Sequence, residues 1–207
     1  RQRGTAHKPG NNVYVSKVDN NIFYSGSITH EGANEFQNLV YRYMSKCKYG
    51  DKKHKSDKKK NKDICKELNI HITSGGGGVS SGIAIMNTIE EVNNFKINDK
   101  NIHTRCIGKG FVGSAATYGL FSCKERTASA NTTFLLHPPS KSCVSGQTED
   151  LQTSANNITL THNNILDIYN KKSNKQNIED DIREIYENNK YSKADDILNL
   201  GLIDKVL

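Results

Sequence analysis

Two rhythms of apolar and polar residues run along the chain. From Val13 to Val18 the two kinds take turns, the period of two that buries one face of a strand. Ile22-Phe23-Tyr24 followed by Gly26 reads as a second strand and a turn. The spacing then changes to threes and fours. Ala33, Phe36, Leu39, Val40 and Tyr43 share one face of a helix expected from about Glu31 to Met44, with Thr29 as its N-cap. Leu68 to Thr73 is a short strand, and Ile83, Ile85, Met86, Ile89 and Val92 return to helical spacing. Ile102 to Ile107 predicts a strand, followed by Gly108-Lys109-Gly110 and a small-residue helix from Gly113 to about Phe121. Phe134-Leu135-Leu136 is a strand that stops at His137-Pro138-Pro139. Leu151, Ala155, Ile158, His162, Ile165 and Tyr169 mark a long amphipathic helix, and Ile178 to Tyr186 a further one. Ser192 with Asp195 forms a capping-box pattern before Ile197 and Leu198. Gly201 then ends that helix, and Leu202 to Leu207 reads as a closing strand. Strands alternating with helices indicate an α/β fold, and no fixed repeat is visible.

Composition narrows this picture. A chain of 207 residues fits one domain, expected over residues 13–207 behind a mobile arm at 1–12. Only 34% of residues are hydrophobic and none is Trp, a thin supply for a core. No run of about 18 apolar residues occurs, which excludes a membrane-spanning helix. No charged-then-apolar leader opens the chain, so a targeting segment is expected to be absent or already removed.

The net charge of +7 invites a nucleic-acid partner, but its location argues against one. Residues 46–62 hold nine lysines and two aspartates, and the rest of the chain balances at 20 basic and 20 acidic residues. A nucleic-acid face spreads its cations over a folded surface with aromatics between them. A block of like charges is instead a solvated insertion loop, with a basic docking segment as the minority alternative. The five cysteines (Cys47, Cys65, Cys106, Cys123, Cys143) contain no C-x-x-C pair and are expected to be reduced thiols. No H-E-x-x-H pair exists among the histidines. Neither a metal nor another cofactor is implied.

The chemistry-bearing motif is Ser74-Gly75-Gly76-Gly77-Gly78 between a strand and a helix. Glycines there let backbone N–H groups approach a phosphate or a developing oxyanion. The phosphate patterns fail: no Gly-Lys-Ser/Thr follows, and Ser80 and Ser81 occupy the place of a last glycine. Gly78-Val79-Ser80-Ser81-Gly82 fits the short G-x-S-x-G elbow pattern, which makes Ser80 a formal nucleophile candidate.

From Ile22 onward the chain resembles the ClpP family, the barrel-forming serine peptidases of the Clp system. Three segments carry the resemblance. Ile72-Thr73-Ser74-Gly75-Gly76-Gly77 looks like I-N-S-P-G-G, and Phe134 to Pro139 looks like M-I-H-Q-P. Tyr191-Ser192-Lys193-Ala194 through Asn199 to Val206 looks like F-x-S-A…E-Y-G-L-I-D-K-V. The resemblance implies a ClpP/crotonase-like fold of repeated ββα units with a protruding handle helix.

Acyl transfer needs a hydroxyl nucleophile, a His base, an orienting carboxylate and N–H donors for the oxyanion. The family's G-x-A-A-S-M-G-A corresponds to Gly108 through Ala115. Ungapped matching puts Val112 at the nucleophile, and a one-residue shift puts Gly113 there. His137 holds the base position, and the family's aspartate becomes Asn189. Gly75, Gly76, Gly77 and Gly78 are then a remnant of the oxyanion loop. Ser114 remains the alternative nucleophile. Two altered triad positions make the chain similar to ClpR, the non-catalytic paralogue. Its implied setting is a ring, expected to be a heptamer and completed by active ClpP subunits, with the helix from Leu151 to Tyr169 as the handle between rings. Asn188 and Asn189 replace a charged Arg-Asp pair at the ring contact. His71 and Glu91 stand at rim positions where Clp-type AAA+ ATPase chaperones dock and the family favours aromatics. No nucleic acid or membrane is expected as a partner. Abundant Asn and Lys, with the plastid-type paralogue, suggests an apicomplexan plastid (apicoplast). A crotonase-like enzyme acting on acyl thioesters is a third possibility.

Overall fold

The computed structural model of the chain describes residues 13–49, 65–97, 99–140 and 145–207. Strands β1 (Val13–Val18) and β2 (Asn21–Gly26) pair antiparallel, Val15 opposite Tyr24. Helix α1 (His30–Tyr49) carries the chain across to β3 (Glu67–Ser74), which lies parallel to β2 with Ile22 beside Ile70. Helix α2 (Val79–Asn94) and a small hairpin, β4 (Lys96–Ile97) with β5 (Lys100–Asn101), lead to β6 (His103–Gly113), parallel to β3. The short α3 (Ala116–Leu120) returns to β7 (Glu125–Ala128) on the other side of β6. Strand β8 (Thr133–Leu135) pairs with the far end of β6, and β9 (Tyr191–Lys193) pairs antiparallel with β8. Between them run α4 (Thr148–Lys172) and α5 (Glu179–Glu187). Helix α6 (Ala194–Asn199) and β10 (Lys205–Val206), parallel to β7, close the eight-stranded sheet.

Alternation dictates the layers. Leu68, Ile70 and Ile72 point to the same side of β3 and are buried there under Phe36, Val40 and Tyr43 of α1 and Ile85, Ile89 and Val92 of α2. A fully buried side chain of this size stabilises by about 2 kcal/mol. Buried threonines extend the thin apolar supply, because each hydroxyl finds a carbonyl. Thr127 donates to the Cys106 carbonyl at 3.0 Å, and Thr132 to that of Gly108 at 3.1 Å. Thr29 caps α1 as expected, its Oγ1 accepting the Gly32 N–H at 3.0 Å.

Several expectations need correction. Cys47–Cys65 and Cys106–Cys123 are disulfides, with Cα separations of 5.4 and 5.6 Å. Sequence separations of 18 and 17 form no recognisable motif. The crossovers bring these positions together by returning the chain alongside itself. The strand after Ile102 does not stop at Ile107 but runs to Gly113, and the helix is confined to Ala116–Leu120. Pairing with β8 holds Phe111, Val112 and Gly113 extended. The final capping box sits one residue late: the Lys193 N–H donates to Asp196 Oδ2 at 2.8 Å. Of the expected closing strand only Lys205–Val206 pairs. The 1–12 arm, most of the 46–62 insertion and Cys143 lie outside the described residues.

The end of α4 is anchored while its beginning projects. Ile165, Leu166 and Tyr169 are its buried residues, whereas Leu151 and Leu160 are exposed. Beneath the anchored end, the buried Arg126 clasps Asp204, Nη2 to Oδ1 at 2.5 Å and Nε to Oδ2 at 3.1 Å. It also donates to the Lys172 carbonyl, and Lys172 Nζ reaches Glu90 at 2.5 Å. Among the described residues no helix is long and apolar enough to cross a membrane.

Candidate functional site: a glycine loop facing a serine turn

The site is built where β3 and β6 end together. Their parallel register pairs Ile72 with Gly108 and then Ser74 with Val112. Strand β6 therefore spends four residues where β3 spends two, a bulge in which Gly110 takes φ +67°. The bulge decides which residue stands at the strand-to-helix turn. It is Ser114, with φ +52°, its N–H donating to the Leu135 carbonyl at 2.7 Å. A non-glycine residue in the left-handed region is uncommon, and serine nucleophiles sit on such sharp turns. The ungapped comparison with the family pattern places Val112 or Gly113 at the nucleophile position, on the strand just before this turn. Val112 is wholly buried in the core, and Gly113 lies in the strand opposite Leu135. Ser114 is half-buried.

Opposite Ser114 lies the glycine loop. Gly76 (φ +98°) and Gly77 (φ +152°) adopt conformations that L side chains rarely reach. Close approach enforces the same choice, since a Cβ on Gly77 would stand 2.2 Å from the Ile28 carbonyl oxygen. The Gly76 N–H is taken by Ser74 Oγ at 3.0 Å and that of Gly78 by the Ile28 carbonyl at 2.9 Å. Among the described residues the amides of Gly77 and Ala115 have no hydrogen-bond partner. They flank the turn as donors for a developing oxyanion would.

His137 follows β8 and is half-buried. Its ring makes no hydrogen bond to Ser114, to a carboxylate or to any other described residue. Asn189 is exposed in the turn between α5 and β9, at φ +51°, its N–H donating to the Tyr186 carbonyl at 3.4 Å. The exposed Asn188 caps α5 by donating its amide to the Glu184 carbonyl at 2.8 Å. The structure thus brings Ser114 to the glycine loop and leaves residues 188 and 189 at the surface. The other serine candidate is placed differently. Ser80 is exposed in the first turn of α2, and the nearby His30 touches Ser81 instead, at 3.4 Å. Gly82 serves packing, for a Cβ there would meet the Ala115 carbonyl at 2.6 Å.

Two supports escaped sequence reasoning. Thr117 Oγ1 donates to the Ser114 carbonyl at 2.6 Å, so its lone pair must take the proton of Tyr169 OH, 2.9 Å away. Burial raises the Tyr169 phenol well above its usual value and keeps it a donor. Thr117 was findable as a local partner three residues on, but nothing in the sequence joins it to Tyr169. Phe111 and Tyr191 face each other at 6.0 Å and wall the glycine side.

On the outer face of β3, His71 stacks on Phe23 at 4.5 Å with Nε2 3.2 Å from Asn21 Oδ1. Burial first, and Lys109 second, lowers its pKa. Glu91 accepts the Tyr41 hydroxyl at 2.9 Å and so raises the phenol pKa.

A mixed, mostly parallel α/β sheet whose glycine loop faces a serine-bearing turn is a frame suited to acyl chemistry. The comparisons identify the frame. The Clp protease family model matches residues 58–207, and the chain belongs to that family. It is 28% identical over 145 residues to the ATP-dependent Clp protease proteolytic subunit 2 of Streptomyces coelicolor, covering 70% of this chain and 63% of that one. With the ATP-dependent Clp protease proteolytic subunit 4 of Streptomyces avermitilis the identity is 30% over 145 residues, covering 70% and 61%. The matched stretch thus spans under two thirds of these relatives.

Proposed function

We propose that the chain is a non-catalytic subunit of a Clp protease-type ring, structural or regulatory in role. The observation that carries this is the isolation of His137, which among the described residues has neither a hydroxyl partner nor an orienting carboxylate, with an exposed amide at position 189. A base without a nucleophile has no proton to take. An Asp-to-Asn change at the orienting position of a serine protease lowers turnover by about 10⁴-fold. The projecting half of α4, with Leu151 and Leu160 exposed, supports self-association as a handle. A heptameric ring, alone or completed by active ClpP subunits, is the assembly that fits the family. Neutral Asn188 and Asn189 weaken contact between rings, because ionic hydrogen bonds are about twice as strong as neutral ones. His71 and Glu91 alter docking of a Clp-type AAA+ ATPase. Richness in Asn and Lys supports an apicomplexan plastid as the setting, which imaging of the tagged protein tests.

A second reading rests on the elbow. Ser114 has the left-handed turn and, among the described residues, two unpartnered amides beside it, and a peptidase using it requires His137 to come within hydrogen-bond reach of Oγ. One experiment separates the two. The purified chain is incubated with a fluorophosphonate probe and a fluorogenic peptide, alone and with an active ClpP partner. The non-catalytic reading expects no label on this chain. Label on Ser114 that disappears in Ser114→Ala establishes the second reading, and turnover of an acyl-CoA instead would establish the crotonase-like alternative. Light scattering tests assembly separately, and a persistent monomer would remove the ring.

A further inference from the structure

We propose that Cys47 and Cys65 are a reversible redox pair, opened by a dithiol reductant and closed again by disulfide exchange, whereas Cys106–Cys123 is a permanent internal bond. The two disulfides differ in access. Cys106 and Cys123 are buried to 0% and 6% exposure, between β6 and the segment after α3. Cys47 and Cys65 are only half-buried, at the end of α1 and the turn into β3. Exchange requires a thiolate to reach one sulfur, which burial of the inner pair prevents.

The surroundings also differ in charge. Lys46 and Lys48 flank Cys47, and Lys66 follows Cys65. Lys17 stands close enough to Lys46 for that cation to lower its pKa, after the larger effect of burial and against the opposing charge of Asp19. Partial exposure lets an attacking thiolate reach a sulfur, and a lysine beside a cysteine favours its thiolate, the better leaving group and the form that reacts.

Opening the pair leaves the fold in place. Helix α1 remains docked through Phe36 and Val40, and Tyr43 OH still donates to the Glu67 carbonyl at 3.0 Å, one turn before Cys47 and two residues after Cys65. What changes is covalent closure of the lysine-rich insertion. In the exchange one thiolate of the dithiol attacks Sγ, releasing the other cysteine as thiolate. The second thiol then attacks the mixed disulfide. Two electrons and two protons pass to the protein as two thiols, and the dithiol leaves as its own disulfide.

The test uses the full native chain, probed with dithiothreitol and N-ethylmaleimide and read by peptide mass spectrometry. Before reductant, neither Cys47 nor Cys65 takes label. With dithiothreitol both become fully labelled while Cys106 and Cys123 stay unlabelled until the chain is unfolded. Washing in oxidised glutathione restores the first state. Trypsin cutting within the insertion gives fragments that remain joined on a denaturing gel without reductant and separate with it. A Cys47→Ser/Cys65→Ser variant keeps the wild-type circular dichroism. Labelling of Cys47 or Cys65 before reductant, reduction of the buried pair at the same dithiothreitol concentration, or failure to re-form the bond would each overturn the proposal.

Discussion

A Cβ on Gly76 would stand 2.5 Å from the Cβ of Ser114 and 2.8 Å from the Gly113 carbonyl oxygen. The glycine loop and the serine turn therefore share one space, and neither holds its conformation without the other. Gly76→Ala meets this clash and a φ of +98° together. The expected loss is about 2–3 kcal/mol, from left-handed strain plus displacement of the turn. Chemical denaturation with a linear extrapolation measures it. A variant as stable as the parent would mean the contact is not close.

The Arg126–Asp204 clasp predicts a pH-dependent stability. Burial opposes ionisation of Asp204, but hydrogen bonds and charge from Arg126 outweigh it and lower the pKa. A carboxyl depressed in the folded state stabilises fully above its unfolded value of about 3.9, and that contribution is lost as pH falls through the folded value. Asp204→Asn strands the buried guanidinium and is expected to cost about 2 kcal/mol at pH 7, below the figure for a fully buried pair because the carboxylate is partly exposed. Below about pH 4 the gap between wild type and variant narrows. Thermal unfolding across pH 3 to 7, on the scale set by those reference values, shows whether the two curves converge.

Tyr169 supports the serine turn through Thr117. Tyr169→Phe deletes the donor and leaves Thr117 Oγ1 without it, a loss of about 1 kcal/mol. Thr117→Val removes the bond to the Ser114 carbonyl as well and costs more. In a double-mutant cycle the double variant loses less than the sum of the two single losses, because the two residues share one hydrogen bond. Strict additivity would break the proposed chain from α4 to Ser114.

On the non-catalytic reading, an acidic residue at position 189 is not enough for turnover. Asn189→Asp leaves peptide hydrolysis at the buffer baseline, because His137 still lacks a bond to Ser114 in the free chain. The assay is a fluorogenic peptide with an active ClpP ring as positive control. Hydrolysis by the variant that vanishes in Asn189→Asp/Ser114→Ala would instead show that only the carboxylate was missing.

Most of the elements were legible because their signals are local. The alternation from Val13 to Val18, the threes and fours of α1, and Thr29 at its cap each report on neighbours a few residues away. The strands at Glu125–Ala128 and Tyr191–Lys193 were not legible as strands. Thr127 is buried through a hydroxyl bonded to another strand, so its environment does not show in its polarity. The two disulfides were missed for the same reason, since partners 17 and 18 residues apart meet only once helices have returned the chain.

By itself, the sequence determined the α/β alternation and the glycine loop between a strand and a helix. Each of these follows from residue identity and short-range spacing. Only the tertiary structure decided that Ser114 takes the turn, that Tyr169 supports it and that four cysteines are bonded. Those outcomes depend on strand register, and a bulge of two residues changes register without leaving a mark that counting along the chain can detect.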